Sequence, residues 1–325
     1  MPEGPGLATS KERRRAPGDL AVADIGTRVV TGAGPVPPRV DGTAASDGRL
    51  QKRSRMGVLF WVCLAWVALM VLLALAASVL PLKSPTFQDY SAVNVGPTLH
   101  HLLGTDDLGR DLLSRIVFGS RVSLVIGFAS IALGMATGGT LGLLAGYRGG
   151  ASDTLLNAGS FVLLAFPPLL AIMVIEAFWG RSLWKLTLVF AVVAAPQLFR
   201  VMRASTIATA NREYVVAARA FGSRSARIMV RELLPNVLPA AISFALIGVA
   251  VAIIIEGSLA FLGLSIALPT ASLGNIINEG VQNNNLQLNP YIALWPSLYI
   301  FLMLSSLNLM ADRLRSRFEA REGKL

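Results

Sequence analysis

The stretch GVLFWVCLAWVALMVLLALAASVL, residues 57–80, decides the fold class. It carries no charged side chain, and it exceeds the roughly 20 apolar residues with which an α-helix crosses the hydrocarbon core of a bilayer. Further apolar segments follow at 121–146, 154–178, 183–203, 237–262 and 291–311. The pattern predicts an all-α polytopic membrane protein with six transmembrane helices.

The composition fits this class and limits the possible functions. Of the 325 residues, 54 % are hydrophobic and 15 % are charged, whereas a soluble domain carries about 25 % charged residues. The net charge of +10 is expected from cytoplasmic loops, which collect Lys and Arg, so no nucleic-acid partner is predicted. A single cysteine, Cys63, excludes an intrachain disulfide, and the adjacent His100 and His101 lack a nearby third ligand, so no metal site is predicted.

Three basic clusters set the predicted orientation. They lie at 51–55, in the loop between the fourth and fifth spans, and after the last span, so an even number of spans puts all three on one side, the cytoplasm. The predicted localisation is the bacterial inner membrane, crossed several times, with both termini cytoplasmic. The predicted organisation is a disordered basic tail at 1–55, a transmembrane domain at 56–312 with an external segment at 81–120 and a cytoplasmic loop at 204–236, and a cytoplasmic tail at 313–325.

The fourth loop contains a basic helical pattern, EYVVAARAFGSRSARIMVRELLP, residues 213–235. Tyr214, Ala217, Ala218 and Phe221 recur at helical spacing. Gly222 then interrupts the pattern, since glycine adopts left-handed backbone angles without steric cost. The prediction is two short helices with a bend, the second ended by Pro235, at the inner face of the membrane. A loop resting on lipid head groups is the simpler alternative. That alternative does not explain why the loop contains small residues at this spacing and a glutamate.

The loop resembles the EAA motif of ATP-binding-cassette importer permeases, in the dipeptide/oligopeptide/nickel branch and its C-type subunit. Three more stretches carry the same resemblance: LGTDDLGRDLLSRIVFGSRVSL at 103–124, AFPPLLAI at 165–172 and EGSLAFLGLSIALPTASLGNII at 256–277. This chain departs from the family pattern at Val216, where the broad motif is acidic. It also departs at Ala158 and Phe161, where the family usually has Arg and Asp, and at Ser265, usually Gly.

The resemblance implies a type I importer fold and a set of partners. In the family this loop docks into a groove of an ATPase subunit, so we expect coupling through Glu213, Tyr214, Ala217, Ala218, Phe221, Gly222 and Arg227. The implied partners are a homologous B-type permease, two ATPase subunits or one fused ATPase, an external substrate-binding protein and membrane lipid. The implied cargo is di- or oligopeptide, with nickel or glutathione-like substrates as alternatives.

The chain lacks the marks of an ATPase or another enzyme. It contains no phosphate-binding loop of the form G-x-x-x-x-G-K-[ST], so ATP and magnesium are expected in partner subunits, with no cofactor on this chain. A catalytic constellation is also not visible. A stand-alone secondary transporter is the rival, but it would typically contain several buried charges and an internal repeat.

Two groups of charged residues remain candidates for the pathway. Glu256 lies in an apolar run and must face protein or water. With Phe261 it is expected to line the pathway or gate, and a structural hydrogen bond is an equal alternative for the glutamate. Asp106–Arg110 and Asp111–Arg115 are predicted i,i+4 helical pairs that form an external collar or a solvated helix face. Residues 278–290 are predicted to be a polar external loop.

Overall fold

The computed structural model describes residues 57–267, 269–282 and 285–322, and the predicted tail at 1–55 lies outside this range. The described chain is helical, and its β-structure consists of an isolated bridge between Thr105 and Asp111. The helices are α1 (Val58–Ala76), α2 (Leu112–Gly134), α3 (Thr140–Arg148), α4 (Gly150–Leu164), α5 (Pro168–Trp179), α6 (Leu183–Ala210), α7 (Glu213–Ala220), α8 (Ser225–Arg227), α9 (Leu234–Phe261), α10 (Leu273–Val281), α11 (Asn285–Leu288) and α12 (Tyr291–Glu322).

Five of the described helical segments are long and apolar enough to cross a membrane, and a bent pair makes a sixth. α2 and α3 form one segment through a π-helical turn at Met135–Gly139. The bent pair is α4 and α5, which meet at 82°. The predicted third span, 154–178, corresponds to this bent pair. The bend lies at the two prolines, because the residue before a proline disfavours helical angles, and Pro167 is extended ahead of Pro168.

The helix after the loop 213–235 continues through Pro235, contrary to the predicted end there. Ser225–Phe261 is one continuous helical segment, with a π-helical turn at Ile228–Leu233. Pro235 is in the first turn of α9, where a missing backbone N–H is tolerated. The loop and the fifth span are thus mechanically joined.

A row of glycines brings α2 and α3 against the backbone of α6. A Cβ added at Gly138 would lie 2.1 Å from the carbonyl oxygen of Ala195, and one at Gly142 would lie 2.5 Å from that of Phe199. Small residues at four-residue spacing allow such close helix approach inside a membrane. This contact holds α6, whose end leads into α7.

One end of the helical bundle is covered by α10, whose last residues overlap the predicted loop at 278–290. Its buried residues Leu273 and Ile276 pack in one cluster with Leu112 and Ile116 of α2 and with Ile292 of α12. Ser272 caps the helix by accepting a hydrogen bond from the Asn275 backbone N–H at 3.2 Å. The segment 278–290 is therefore partly helical, in α10 and α11, and not only a connecting loop.

Candidate functional site

The loop 213–235 is anchored through the inner side of α7. Val215 is fully buried and packs in a cluster with Ile228, Leu233 and Val237 of the following helical segment and with Met202 of α6. Each buried aliphatic side chain of this kind contributes about 1.5–3 kcal/mol relative to exposure. The loop is therefore a packed element with a defined orientation.

Two further contacts fix α7. Ala218 is half-buried and packs against the same cluster. The Arg219 guanidinium lies 5.3 Å from the centre of the Tyr147 ring at the end of α3, a cation–π distance. Of the predicted coupling residues, Ala218 thus faces mainly inward.

The outer side of α7 presents small and aromatic residues to solvent. Tyr214 and Ala217 are exposed, and Phe221 is 89 % exposed. Glu213 in the first turn and Arg227 in α8 are also exposed. The structure therefore brings Tyr214, Ala217 and Phe221 together on one uncovered face.

Gly222 ends α7 as predicted, with φ of +77°. Its N–H donates to the Arg219 carbonyl at 3.0 Å, and the Ser223 N–H donates to the Ala218 carbonyl at 3.1 Å, the two bonds of a Schellman cap. A Cβ at Gly222 would meet no atom of the described chain within 4 Å. The backbone angle, and not crowding inside the chain, selects glycine here.

Glu256, predicted to line the pathway or to make a structural bond, is 1 % exposed. It accepts hydrogen bonds from the Ser123 hydroxyl of α2 at 2.8 Å and from the Ser265 hydroxyl at 2.9 Å. The carboxylate therefore ties α9 to α2 and to the chain that leads into α10. Phe261 is 56 % exposed at the end of α9 and borders a cavity of about 480 Å³ with Ile253 and Ile300.

Residues of the predicted external collar form ion pairs, but the pairing differs from the prediction. Arg110 donates from Nε to Asp106 at 2.7 Å, within a turn that precedes α2. Arg115 is fully buried and pairs with Asp106 and with Glu279 of α10. The predicted Asp111–Arg115 helical pair is wrong, because α2 begins at Leu112 and leaves Asp111 as its N-cap.

Asp111 has two local partners in place of Arg115. Its Oδ2 accepts from the Ser114 backbone N–H at 2.9 Å, and its Oδ1 lies 3.0 Å from Nδ1 of His101. His101, for which no metal site was predicted, is 7 % exposed. An N-cap of this kind stabilises a helix by about 1 kcal/mol.

Glu279 joins the collar from 164 residues further along the chain. It accepts from Arg110 Nη2 at 2.8 Å and from Arg115 Nη2 at 3.1 Å. No local pattern in the sequence indicated this role for Glu279, because the arginines that it binds are 164 and 169 residues away along the chain.

Carboxylates of Asp106, Asp107 and Glu279 lie within 4.8 Å of one another. Asp106 and Glu279 are both occupied by arginine donors, so we assign no cation to this group. Burial raises the pKa of Asp107, and the neighbouring charges of Asp106 and Glu279 raise it further.

Glu176 and Arg200 are charged side chains that lie within the apolar helices α5 and α6. Glu176 of α5 is 3 % exposed, and neither of its carboxylate oxygens has a hydrogen-bond partner in the part of the chain that the structure describes. Arg200 of α6 lies 5.1 Å from the centre of the Phe161 ring on α4. At position 161 the family that this chain resembles usually has a carboxylate. Here the Arg200 guanidinium instead lies over the face of the Phe161 ring.

A family model described as binding-protein-dependent transport system inner membrane component matches residues 138–324. Among curated proteins, the chain is similar to the glutathione transport system permease protein GsiD of Pectobacterium atrosepticum, at 34 % identity over 78 % of this chain and 84 % of that protein. It is also similar to the dipeptide transport system permease protein DppC of Alkalihalophilus pseudofirmus, at 34 % identity over 87 % of this chain and 93 % of that protein.

Among solved structures, the chain resembles one of the MetNI methionine ABC transporter in an inward-facing conformation. The TM-score is 0.52 at 19 % identity, over 63 % of this chain and 97 % of that chain. At this identity the similarity concerns the fold, which agrees with the importer permease fold that the sequence motifs implied.

Proposed function

Since this chain belongs to the family of binding-protein-dependent transport system inner membrane components, we propose that it is a membrane-spanning permease subunit of an ATP-driven importer of di- or oligopeptides. It forms half of a translocation pathway and transmits ATPase movement through the loop 213–235. One observation carries the coupling role: α7 is anchored on its inner side by Val215, while Ala217 and Phe221 are exposed.

The partners follow from this role. A homologous B-type permease completes the pathway, and two ATPase subunits or one fused ATPase receive α7. ATP and magnesium bind in those ATPases, and this chain is a non-catalytic subunit that binds no cofactor of its own. The three arginine-rich segments face the cytoplasm of a bacterial inner membrane, with both termini on that side.

The anchoring contacts explain how movement is transmitted. The segment Ser225–Phe261 is continuously helical, so a displacement of α7 is delivered to α9 as a rigid-body shift. α9 carries Glu256, which binds Ser123 of α2. A push on the loop therefore reaches the external end of the pathway, where Phe261 remains a candidate gate residue and the Asp106–Arg110–Arg115 collar a candidate seat for the binding protein.

The cargo follows from the relatives. One is named for dipeptide transport and another for glutathione transport, and both names indicate a small peptide with a free carboxylate. Glutathione-like peptides are therefore the second candidate. The proposed organisation keeps a transmembrane domain at 56–312, a cytoplasmic coupling loop at 204–236 and an external segment at 81–120.

Capture of the ATPase by Phe221 variants tests the coupling role. Phe221 is 89 % exposed, so Phe221→Ser leaves the fold of the chain intact, whereas a buried aromatic anchor at an interface contributes about 2 kcal/mol or more. We expect the variant to insert normally and to capture its ATPase at least about 30-fold more weakly. Equal capture by wild type and variant would refute docking through this face.

A further inference from the structure

A cleft of about 400 Å³ lies between α6, α9 and α12, at the base of the loop 213–235. Arg212, which follows α6, and Arg315 of α12 line it, and both are exposed. α6 and α9 are the two stems of the loop, so the cleft separates the helices that enter and leave α7.

The cleft changes character along its length. Its lining includes Val201 on α6 and Phe244 and Ile247 on α9. α6 continues for nine residues beyond Val201, to Ala210, which is about 14 Å of helix, and Arg212 follows that end. The arginines therefore mark one end of the cleft, on the side of the loop, and the apolar side chains mark the other, towards the membrane interior.

The polar groups of the lining favour an anion. The hydroxyls of Thr209 and Ser243 donate to backbone carbonyls of their own helices, at 2.8 Å and 3.0 Å. Among the residues that line the cleft, the charged side chains are Arg212 and Arg315, both cationic. Arginine binds phosphate oxygens well because its donors form a planar fork.

The apolar end distinguishes between anionic ligands. A free inorganic anion would leave the wall formed by Phe244 and Ile247 uncovered, whereas an acyl chain would cover it. A peptide would bring an ammonium group, and the residues that line the cleft include no Asp or Glu to receive it. A molecule with a phosphate at one end and a hydrocarbon chain at the other matches both ends.

We propose that this cleft binds one anionic phospholipid of the cytoplasmic leaflet, with its phosphate between Arg212 and Arg315 and an acyl chain along Phe244 and Ile247. The bound lipid fills the gap between the stems of the loop 213–235 and makes the position of α7 depend on the surrounding membrane. The cytoplasmic leaflet is rich in anionic lipid. This proposal rests on the proposed function in one respect, that the loop 213–235 lies on the cytoplasmic side of the membrane. It does not depend on which solute is transported.

The test is lipid retention by the assembled transporter. The complex is purified from nanodiscs that contain phosphatidylglycerol or phosphatidylcholine, and lipid bound per complex is counted by native mass spectrometry. We expect one retained phosphatidylglycerol per chain. With about 1 kcal/mol for each arginine near the membrane surface, Arg212→Gln/Arg315→Gln should bind it about 30-fold more weakly.

Two further variants separate the cleft from general surface charge. Arg313→Gln/Arg317→Gln removes the same charge from exposed positions of α12 that do not line the cleft, and we expect it to retain the lipid. Ala240→Trp fills the cleft while both arginines remain, and we expect it to lose the lipid. Equal loss in both arginine pairs, or retention by Ala240→Trp, would overturn the proposal.

Competition identifies the source of the bound anion. Inorganic phosphate at millimolar concentration should not displace phosphatidylglycerol if the acyl chain contributes to binding. Displacement by phosphate alone would show a simple anion site, and displacement by a dipeptide would place the cleft in the transport pathway. Either result contradicts the lipid assignment, while resistance to both supports it.

Discussion

Replacing Arg115 by methionine should destabilise the end of the protein at which α2 meets α10. Arg115 and Asp106 are both fully buried, and Glu279 is 19 % exposed at its side chain. Methionine keeps most of the side-chain volume, so the loss is mainly one of charge compensation. Asp106 and Glu279 would then have to share Arg110.

The loss of stability depends on the ion pairs that Asp106 and Glu279 keep in the variant. Removing one partner of a buried ion pair costs about 3–5 kcal/mol, because the other charge stays buried. Arg110 still binds Asp106 at 2.7 Å and Glu279 at 2.8 Å, so we expect about 3 kcal/mol. At about 2–4 °C per kcal/mol, the melting temperature should fall by about 6–12 °C.

The assay is thermal unfolding of the purified chain in detergent, at low and at high salt. The loss should persist in high salt, since buried pairs are poorly screened. Arg313→Met, at an exposed position of α12, should change the melting temperature by about 1–2 °C or less. Arg115→Met/Glu279→Gln should recover part of the loss, because it removes a stranded charge. A melting temperature for Arg115→Met within about 1 °C of wild type would refute the reasoning.

The remaining predictions concern other parts of the fold. Gly138→Ala should lower the melting temperature markedly, because the added Cβ would lie 2.1 Å from the Ala195 carbonyl oxygen. Gly159→Ala is the control: its Cβ would have no neighbour within 4 Å, so it should raise the free energy of unfolding by up to about 1 kcal/mol. Equal effects of the two variants on the melting temperature would argue against the glycine-mediated contact with α6. Glu256→Ala should lower the free energy of unfolding by about 2–4 kcal/mol, because it leaves two serine hydroxyls without their acceptor and creates a cavity. Glu256→Gln should have a melting temperature close to that of the wild type. A Gln variant that is stable but inactive in transport would instead favour a role of Glu256 in the pathway. Asp107→Asn should raise the melting temperature at neutral pH. The raised pKa of Asp107 means that the folded state holds the proton more tightly than the unfolded state. Stability therefore falls as pH rises from the usual aspartate pKa of 3.8 through the pKa of the folded state. The advantage of Asp107→Asn should therefore shrink as pH falls through that window, and a constant advantage would show that the burial of charge is not its cause.

Hydropathy and the basic loop could be read from sequence because both are local patterns. The run at 57–80 became α1, and the break at Gly222 appeared where the helical pattern stops. Helix ends that depend on tertiary contacts were harder to predict from the sequence. α2 starts at Leu112, well before the predicted 121, because Asp111 caps it and α10 covers it.

The pairing of charges could not be predicted, because sequence spacing favours local partners. Asp111 and Arg115 have the i,i+4 spacing of a helical pair, but the cap position of Asp111 takes it out of the helix. Arg115 instead meets Glu279, whose position depends on how α10 folds back over α2. The buried Ser123–Glu256–Ser265 bonds depend in the same way on three separate segments.

Proline alone does not predict where a helix ends. The chain bends between α4 and α5, but it continues as a helix through Pro235. Two consecutive prolines at 167 and 168 broke the third span, whereas Pro235 did not break the fifth. The difference lies in the preceding turn. At Pro235 a π-helical turn at Ile228–Leu233 leads directly into the first turn of α9, where proline fits.

Docking of α7 into an ATPase is the central claim, and Ala217→Trp tests it most directly. Ala217 is exposed on the uncovered face, so tryptophan there has room within this chain but would block a groove. Ala151→Trp, at an exposed position in the first turn of α4, is the matched control. The measurement is capture of the ATPase subunits by the membrane-inserted chain. The account predicts capture by wild type and Ala151→Trp and loss of capture by Ala217→Trp; capture by all three would contradict it.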